Sequence, residues 1–188
     1  MERCAALVLV LVTAPVAGAQ PVVAESHRLI LQGAHLQVGK TVSYDGRYRR
    51  LPYPGGDIPL DLGVCTDVII RAYRYAGIDL QVLVHEDMSR AFGLYPNLWG
   101  LSKPDPNIDH RRVPNLATFF RRHATSFPAS TRPADYRPAD IVTWRLPSGF
   151  PHIGLVSDRA SGDRPLVVHN IGAGTRLEDT LFRYEVTG

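Results

Sequence analysis

Apolar positions along the 188-residue chain change period about two thirds of the way through. Up to about residue 124 they recur at helical spacing. In segment 27–38, Leu29, Ile30, Ala34 and Val38 share one helical face. From Cys65 onward, Val68, Ala72, Tyr75 and Ala76 form another such face, and Gly77 suits the end of that helix. Asp79 is placed to cap a helix with Leu80, Leu83, Val84, Met88 and Ala91 on its inner side, and Gly93 ends it. Asn115 caps a further helix through Leu116, Phe119 and Phe120 to about Ala124. Segments 41–63 and 94–114 are dense in turn-forming residues; the first predicts a loop and the second an ordered insertion.

Beyond residue 140 the blocks 141–144, 152–157, 166–169 and 181–186 have strand character. Pro147-Ser148-Gly149, Ser161-Gly162-Asp163 and Gly172-Ala173-Gly174 supply the turns between them. Helices followed by an antiparallel meander predict an α+β fold.

The N-terminus differs from the rest. Ala5 to Val12 is an unbroken apolar run, and Ala17-Gly18-Ala19 has the small-x-small form that signal peptidase cleaves. The run is too short to span a bilayer, which predicts an export signal over residues 1–19 and a single mature domain over 20–188, periplasmic or secreted. No second apolar segment suits a membrane span. A net charge of +3 fits an anionic cell-wall setting and is also ordinary for a soluble protein. No Lys/Arg run is interleaved with aromatics, which argues against a nucleic-acid partner.

Of two cysteines, Cys4 falls in the expected signal, leaving Cys65 alone in an oxidising compartment. A thiol attacks as a thiolate, which a helix N-terminus and a nearby imidazole both favour. Cys65 opens the predicted helix, where free backbone N–H groups can also hold an oxyanion. His152, at the mouth of a strand after a Pro/Gly-rich turn, is the candidate base. His169, with Asn170 after it, ends the neighbouring strand and is placed to orient the His152 ring, with Asn170 the alternative. Asp67 is read two ways: as a substrate-binding or tuning group, or as a first-turn acid facing the helix dipole. Asp109-His110-Arg111-Arg112 is either a carboxylate site or a solvated turn. His85 and Asp87, two apart on a helix, do not share a face and are set aside as metal ligands. Zinc on Cys65, His152, His169 and Asp158 is the chemical rival, but no ligand-pair spacing supports it. No metal and no cofactor are expected.

The ordered landmarks Tyr53-Pro54-Gly55-Gly56, Gly63-Val64-Cys65-Thr66-Asp67, Pro138-Ala139-Asp140-Ile141-Val142, Pro151-His152-Ile153-Gly154-Leu155-Val156 and Val168-His169-Asn170 resemble those of NlpC-type cell-wall peptidases, of the papain-like superfamily. A closer resemblance, over nearly the whole mature chain, is to a bacterial "domain of unknown function" family of exported proteins. It is carried by G-V-C-T-D, by N-I-D-H-R-R-V-P-N from Asn107 and by V-V-H-N-I-G from Val167. The NlpC resemblance implies a nucleophile helix packed on an antiparallel sheet and cleavage of amide bonds in peptidoglycan stem peptides, by an endopeptidase or amidase. It implies Cys65 as nucleophile, His152 as base, His169 as third polar residue, and Tyr53 as a hydroxyl near the oxyanion; Asp67 and Asn170, read from the residues themselves, join Tyr53 as candidate substrate-binding groups. Two features depart from that pattern: Val-Cys-Thr-Asp stands where Asp-Cys-Ser-Gly is usual, and a long helical insertion, roughly 78–135, separates Cys65 from His152. A non-catalytic wall-peptide or protein-binding module, an acyl transferase and a toxin delivered to rival bacteria are the alternatives.

Overall fold

The computed structural model describes residues 19–188. The expected signal falls almost wholly outside these residues.

Among the described residues, four α-helices precede a five-stranded antiparallel sheet. The helices are α1 (Ala19–His35), α2 (Cys65–Tyr75), α3 (Leu80–Ala91) and α4 (Val113–His123). Short strands β1 (Ser43–Tyr44) and β2 (Leu62–Gly63) pair in parallel just before α2. The sheet is built from β3 (Ile141–Arg145), β4 (Pro151–Ser161), β5 (Arg164–Asn170), β6 (Thr175–Glu178) and β7 (Glu185–Val186), in the order β6-β5-β4-β3-β7.

The helix ends follow local chemistry. Asp79 caps α3 by accepting the Gln81 N–H at 3.0 Å. Past α2, Gly77 takes a positive φ of 79°, and the Ile78 N–H returns to the Tyr73 carbonyl at 3.0 Å. Three predicted boundaries move. α1 ends at His35, short of Val38. α4 starts at Val113 with Pro114 in its first turn, and the buried Asn115 donates to the Asp109 carbonyl instead of capping. Of block 181–186 only Glu185–Val186 pairs, because Leu181 turns inward to accept the Trp144 indole N–H at 2.9 Å.

Strand alternation divides the core between the two faces of the sheet. Ile153, Leu155 and Val168 join Val68, Ile69, Leu116 and Phe119 under the helices. Each such side chain contributes roughly 1.5–3 kcal/mol by leaving water. Val142, Trp144, Val156 and Val167 face the other way, against Leu181 and Phe182. Trp144 lies close against the strands because Gly154 has no side chain. A Cβ there would stand 3.1 Å from the indole ring and 2.7 Å from Val167.

Candidate active site

Cys65 occupies the first turn of α2, after an extended Val64. Asp67 folds back and accepts the Val64 N–H at 2.7 Å, which satisfies one of the free donors at the helix start. The same carboxylate is gripped by Arg111, Nε to Oδ1 at 2.9 Å and Nη2 to Oδ2 at 2.9 Å, and both side chains are almost fully buried. Thr66 donates to the Arg111 carbonyl at 2.9 Å. Asp67 is thus occupied internally. The Asp109–Arg112 run is no solvated turn: Asp109, His110 and Arg111 are buried, and the run is anchored to the nucleophile helix.

The thiol sits where the sheet parts. Val156 donates to Asp140 on the β3 side, so by alternation the Ile153 N–H points toward β5. The β4–β5 ladder reaches only Leu155–Val168 at this end, which leaves that donor unpaired by a strand. It reaches the Cys65 sulfur instead, together with the Thr66 N–H and the Tyr44 hydroxyl. The thiol therefore meets the backbone one peptide unit from His152, whose ring points to the opposite face of the strand with Trp144. Asn170 braces the same junction. Its Nδ2 donates to the Gly63 carbonyl at 3.1 Å and its Oδ1 accepts the Gly172 N–H at 3.1 Å, so both ends of its amide are structural.

His152 and His169 are buried and touch. His152 Nε2 lies 2.8 Å from His169 Nδ1, and the His152 ring packs over Trp144. Beyond, His169 Nε2 lies 3.0 Å from Glu178 Oε2 and 3.4 Å from Thr180 Oγ1. An ionised Glu178 accepts only, so His169 Nε2 carries the hydrogen and its Nδ1 is the acceptor. His152 must then donate from Nε2, which leaves its Nδ1 with a lone pair. That is the tautomer a base needs.

Burial keeps the pair neutral at rest. The Cys65 thiol is pushed up to about 11, mainly by loss of solvent, against the stabilising Ile153 N–H. Burial holds His152 down to about 3, with His169 adding to the effect. His169 is lowered by burial, opposed by Glu178. Tyr44, half-exposed on the solvent side of the thiol, is raised by burial of its hydroxyl and by Cys65.

Tyr53 is not part of this group. Its ring meets His85 edge-on at 5.3 Å, and Gly55 beside it donates to Asp79 at the start of α3. That is the far end of α2, about 15 Å along the axis from Cys65. Asp158 is held by His35 at 2.9 Å, six residues along β4 from His152, so the suggested zinc set does not assemble. The structure thus joins His152 to His169 and adds Glu178 to that series on the Trp144 face of the sheet, while Cys65, with Tyr44, meets the Ile153 backbone from the helix face. Glu178 follows the Gly172–Gly174 turn in a strand whose brief alternation, Thr175-Arg176-Leu177-Glu178, was the available signal.

Comparison with known proteins gives a consistent but functionally silent result. The family described as "Domain of unknown function (DUF1287)" matches residues 31–188. The "Uncharacterized protein YijF" of Escherichia coli (strain K12) is 54% identical over 166 residues, covering 88% of this chain and 81% of that protein. No solved structure matches.

Proposed function

We propose, for a chain that belongs to the DUF1287 family, a cysteine-dependent amide hydrolase of papain-like, NlpC-related architecture. Its substrates are peptide bonds in peptidoglycan stem peptides, met in the periplasm or outside the cell. The observation that carries the reading is the hydrogen-bonded series His152–His169–Glu178, whose first histidine immediately precedes the Ile153 N–H that meets the thiol at the start of α2.

In this mechanism the substrate carbonyl displaces the Tyr44 hydroxyl from the sulfur. His152 Nδ1 takes the thiol proton as the C–S bond forms, acting as a general base on a neutral thiol. Free N–H groups at the start of α2 and the Tyr44 hydroxyl hold the oxyanion. His152 then gives its proton to the leaving amine as the C–N bond breaks. A water, deprotonated by His152, attacks the thioester, and the carboxylic acid leaves as the thiol is restored. An amine in place of water makes the same intermediate a transferase.

Incubation of the protein and a Cys65→Ala variant with isolated peptidoglycan, followed by mass spectrometry, tests this. Fragments released only by the native protein support it, and their masses name the bond. One observation favours a second reading, a wall-peptide-binding module: Cys65 is only 4% exposed and rests protonated. Binding of the polymer by both proteins with no fragment from either would select that reading.

A further inference from the structure

Segments 48–51 and 101–107 face each other across a cleft of about 530 Å³. The cleft is preformed. The Tyr48 hydroxyl donates across it to Asp105 Oδ2 at 2.9 Å, and the Leu51 N–H to Asn107 Oδ1 at 2.9 Å. Beneath, the buried Gln81 donates from Nε2 to the Pro52 carbonyl at 3.1 Å and the Pro106 carbonyl at 3.0 Å. One side chain therefore ties the roots of both walls.

The charge facing the cleft is unbalanced. Asp105 is its acid, but Oδ2 is taken by Tyr48 and Oδ1 by the backbone and side-chain N–H groups of Asn107. Arg50 and Lys103 also line the cleft, and among the described residues neither has an ion-pair partner. Nearby Arg47, Arg49, Arg111 and Arg112 are each paired with an aspartate. A rigid cleft with two uncommitted cations and a saturated acid suits an anion, and a guanidinium suits a planar carboxylate.

The cleft is also within reach of the thiol. Tyr44 touches Cys65, and Tyr48 is four residues further on, so the two backbones are at most about 14 Å apart. Adding roughly 10 Å for the Tyr44 side chain and its contact with the sulfur, at most about seven residues of an extended peptide span from thiol to cleft. We propose that this cleft is the subsite that holds a free carboxylate of the acidic peptide cleaved at Cys65. The assignment rests on the hydrolase reading and adds the substrate's charge.

The test is an amide-resonance titration of the intact protein with acetyl-Ala-Glu-Ala-Glu-amide, its Gln counterpart, and inorganic phosphate. The Glu peptide is expected to shift residues 48–51 and 101–107 saturably. The Gln peptide, and the Glu peptide on an Arg50→Ala/Lys103→Ala variant, are expected to bind about tenfold or more weakly, the scale of one lost charge-assisted hydrogen bond. The paired walls and Gln81 are untouched, so the variant should melt as the native protein does. Equal binding of the two peptides, or undiminished binding by the variant, overturns the proposal. Phosphate shifting these resonances at lower concentration than the Glu peptide overturns the carboxylate assignment. A failed wall digestion removes the cleavage reading without altering this titration, so the two failures are separable.

Discussion

Glu178 Oε2 lies 3.0 Å from His169 Nε2, and this contact sets which nitrogen of His152 is free to accept a proton. Glu178→Gln keeps the size of the side chain but can donate as well as accept, so the tautomer is no longer fixed. Turnover is expected to fall roughly 10–100-fold, the usual scale for a partner that orients a reacting histidine. The melting temperature should change little, because Glu178 is partly exposed. Steady-state kinetics on the wall fragments reads this, and unchanged turnover would remove Glu178 from the machinery.

The two tyrosines give opposite expectations. Tyr44→Phe deletes a hydroxyl that meets the sulfur and is expected to lower kcat about 10²-fold, with KM little changed. Tyr53→Phe, at the far end of α2, is expected to leave both constants alone. The reverse outcome would restore the assignment that the Tyr-Pro-Gly-Gly motif suggests.

A buried neutral thiol has a distinct reactivity profile. In a Cys4→Ser background, alkylation by iodoacetamide should rise about tenfold per pH unit between pH 7 and 10, following the scarce thiolate. It should level off only near the thiol pKa of about 11. A plateau already reached by pH 6 would mean that Cys65 and His152 rest as an ion pair.

Stability should depend on three buried histidines. His152 is held to about 3 and His110 to about 4, both by burial, and His169 is also lowered. Below the ordinary value of 6.5 the unfolded chain takes up these protons and the native protein does not. Stability is therefore full above pH 6.5 and falls as the pH drops toward the native values, by about 1.4 kcal/mol per pH unit for each histidine at most. Asp45 and Asp87, both lowered chiefly by arginine partners, lose their contribution only below the ordinary 3.8. Urea midpoints at pH 7.5, 6 and 5 isolate the histidine window, and a flat series would show that these rings are charged in the native protein.

Removing one member of the Asp67–Arg111 pair leaves the other charge buried alone. Asp67→Asn or Arg111→Met is expected to cost about 3–5 kcal/mol. The double variant should cost less than the sum of the singles, by denaturant melts. Additive effects would mean that the pair is not coupled.

These expectations show where local pattern sufficed and where it did not. The start of α2 at Cys65 and the Asp79 cap follow from nearest neighbours, and they were legible. So was the order of β3, β4 and β5, whose apolar blocks and turns are continuous. β6 was missed because four residues ending in Glu178 form a strand only by pairing with β5. Tyr44 was missed because its strand is two residues long and its partner, Gly63, lies nineteen residues away. The charged run at 109–112 resembled a solvated turn because its principal acid, Asp67, is forty-four residues distant in sequence.

The bond from Thr66 to the Arg111 carbonyl and the Asp67–Arg111 pair bear on inheritance as well as stability. They make segment 78–135 a fixed footing of the nucleophile helix, not an appendage to it. A chimera that exchanges this segment between relatives will fold only if carboxylate and guanidinium travel together. Positions 67 and 111 are therefore expected to change as one in descent, while the surface of the same insertion is free to diverge with the diet of each lineage.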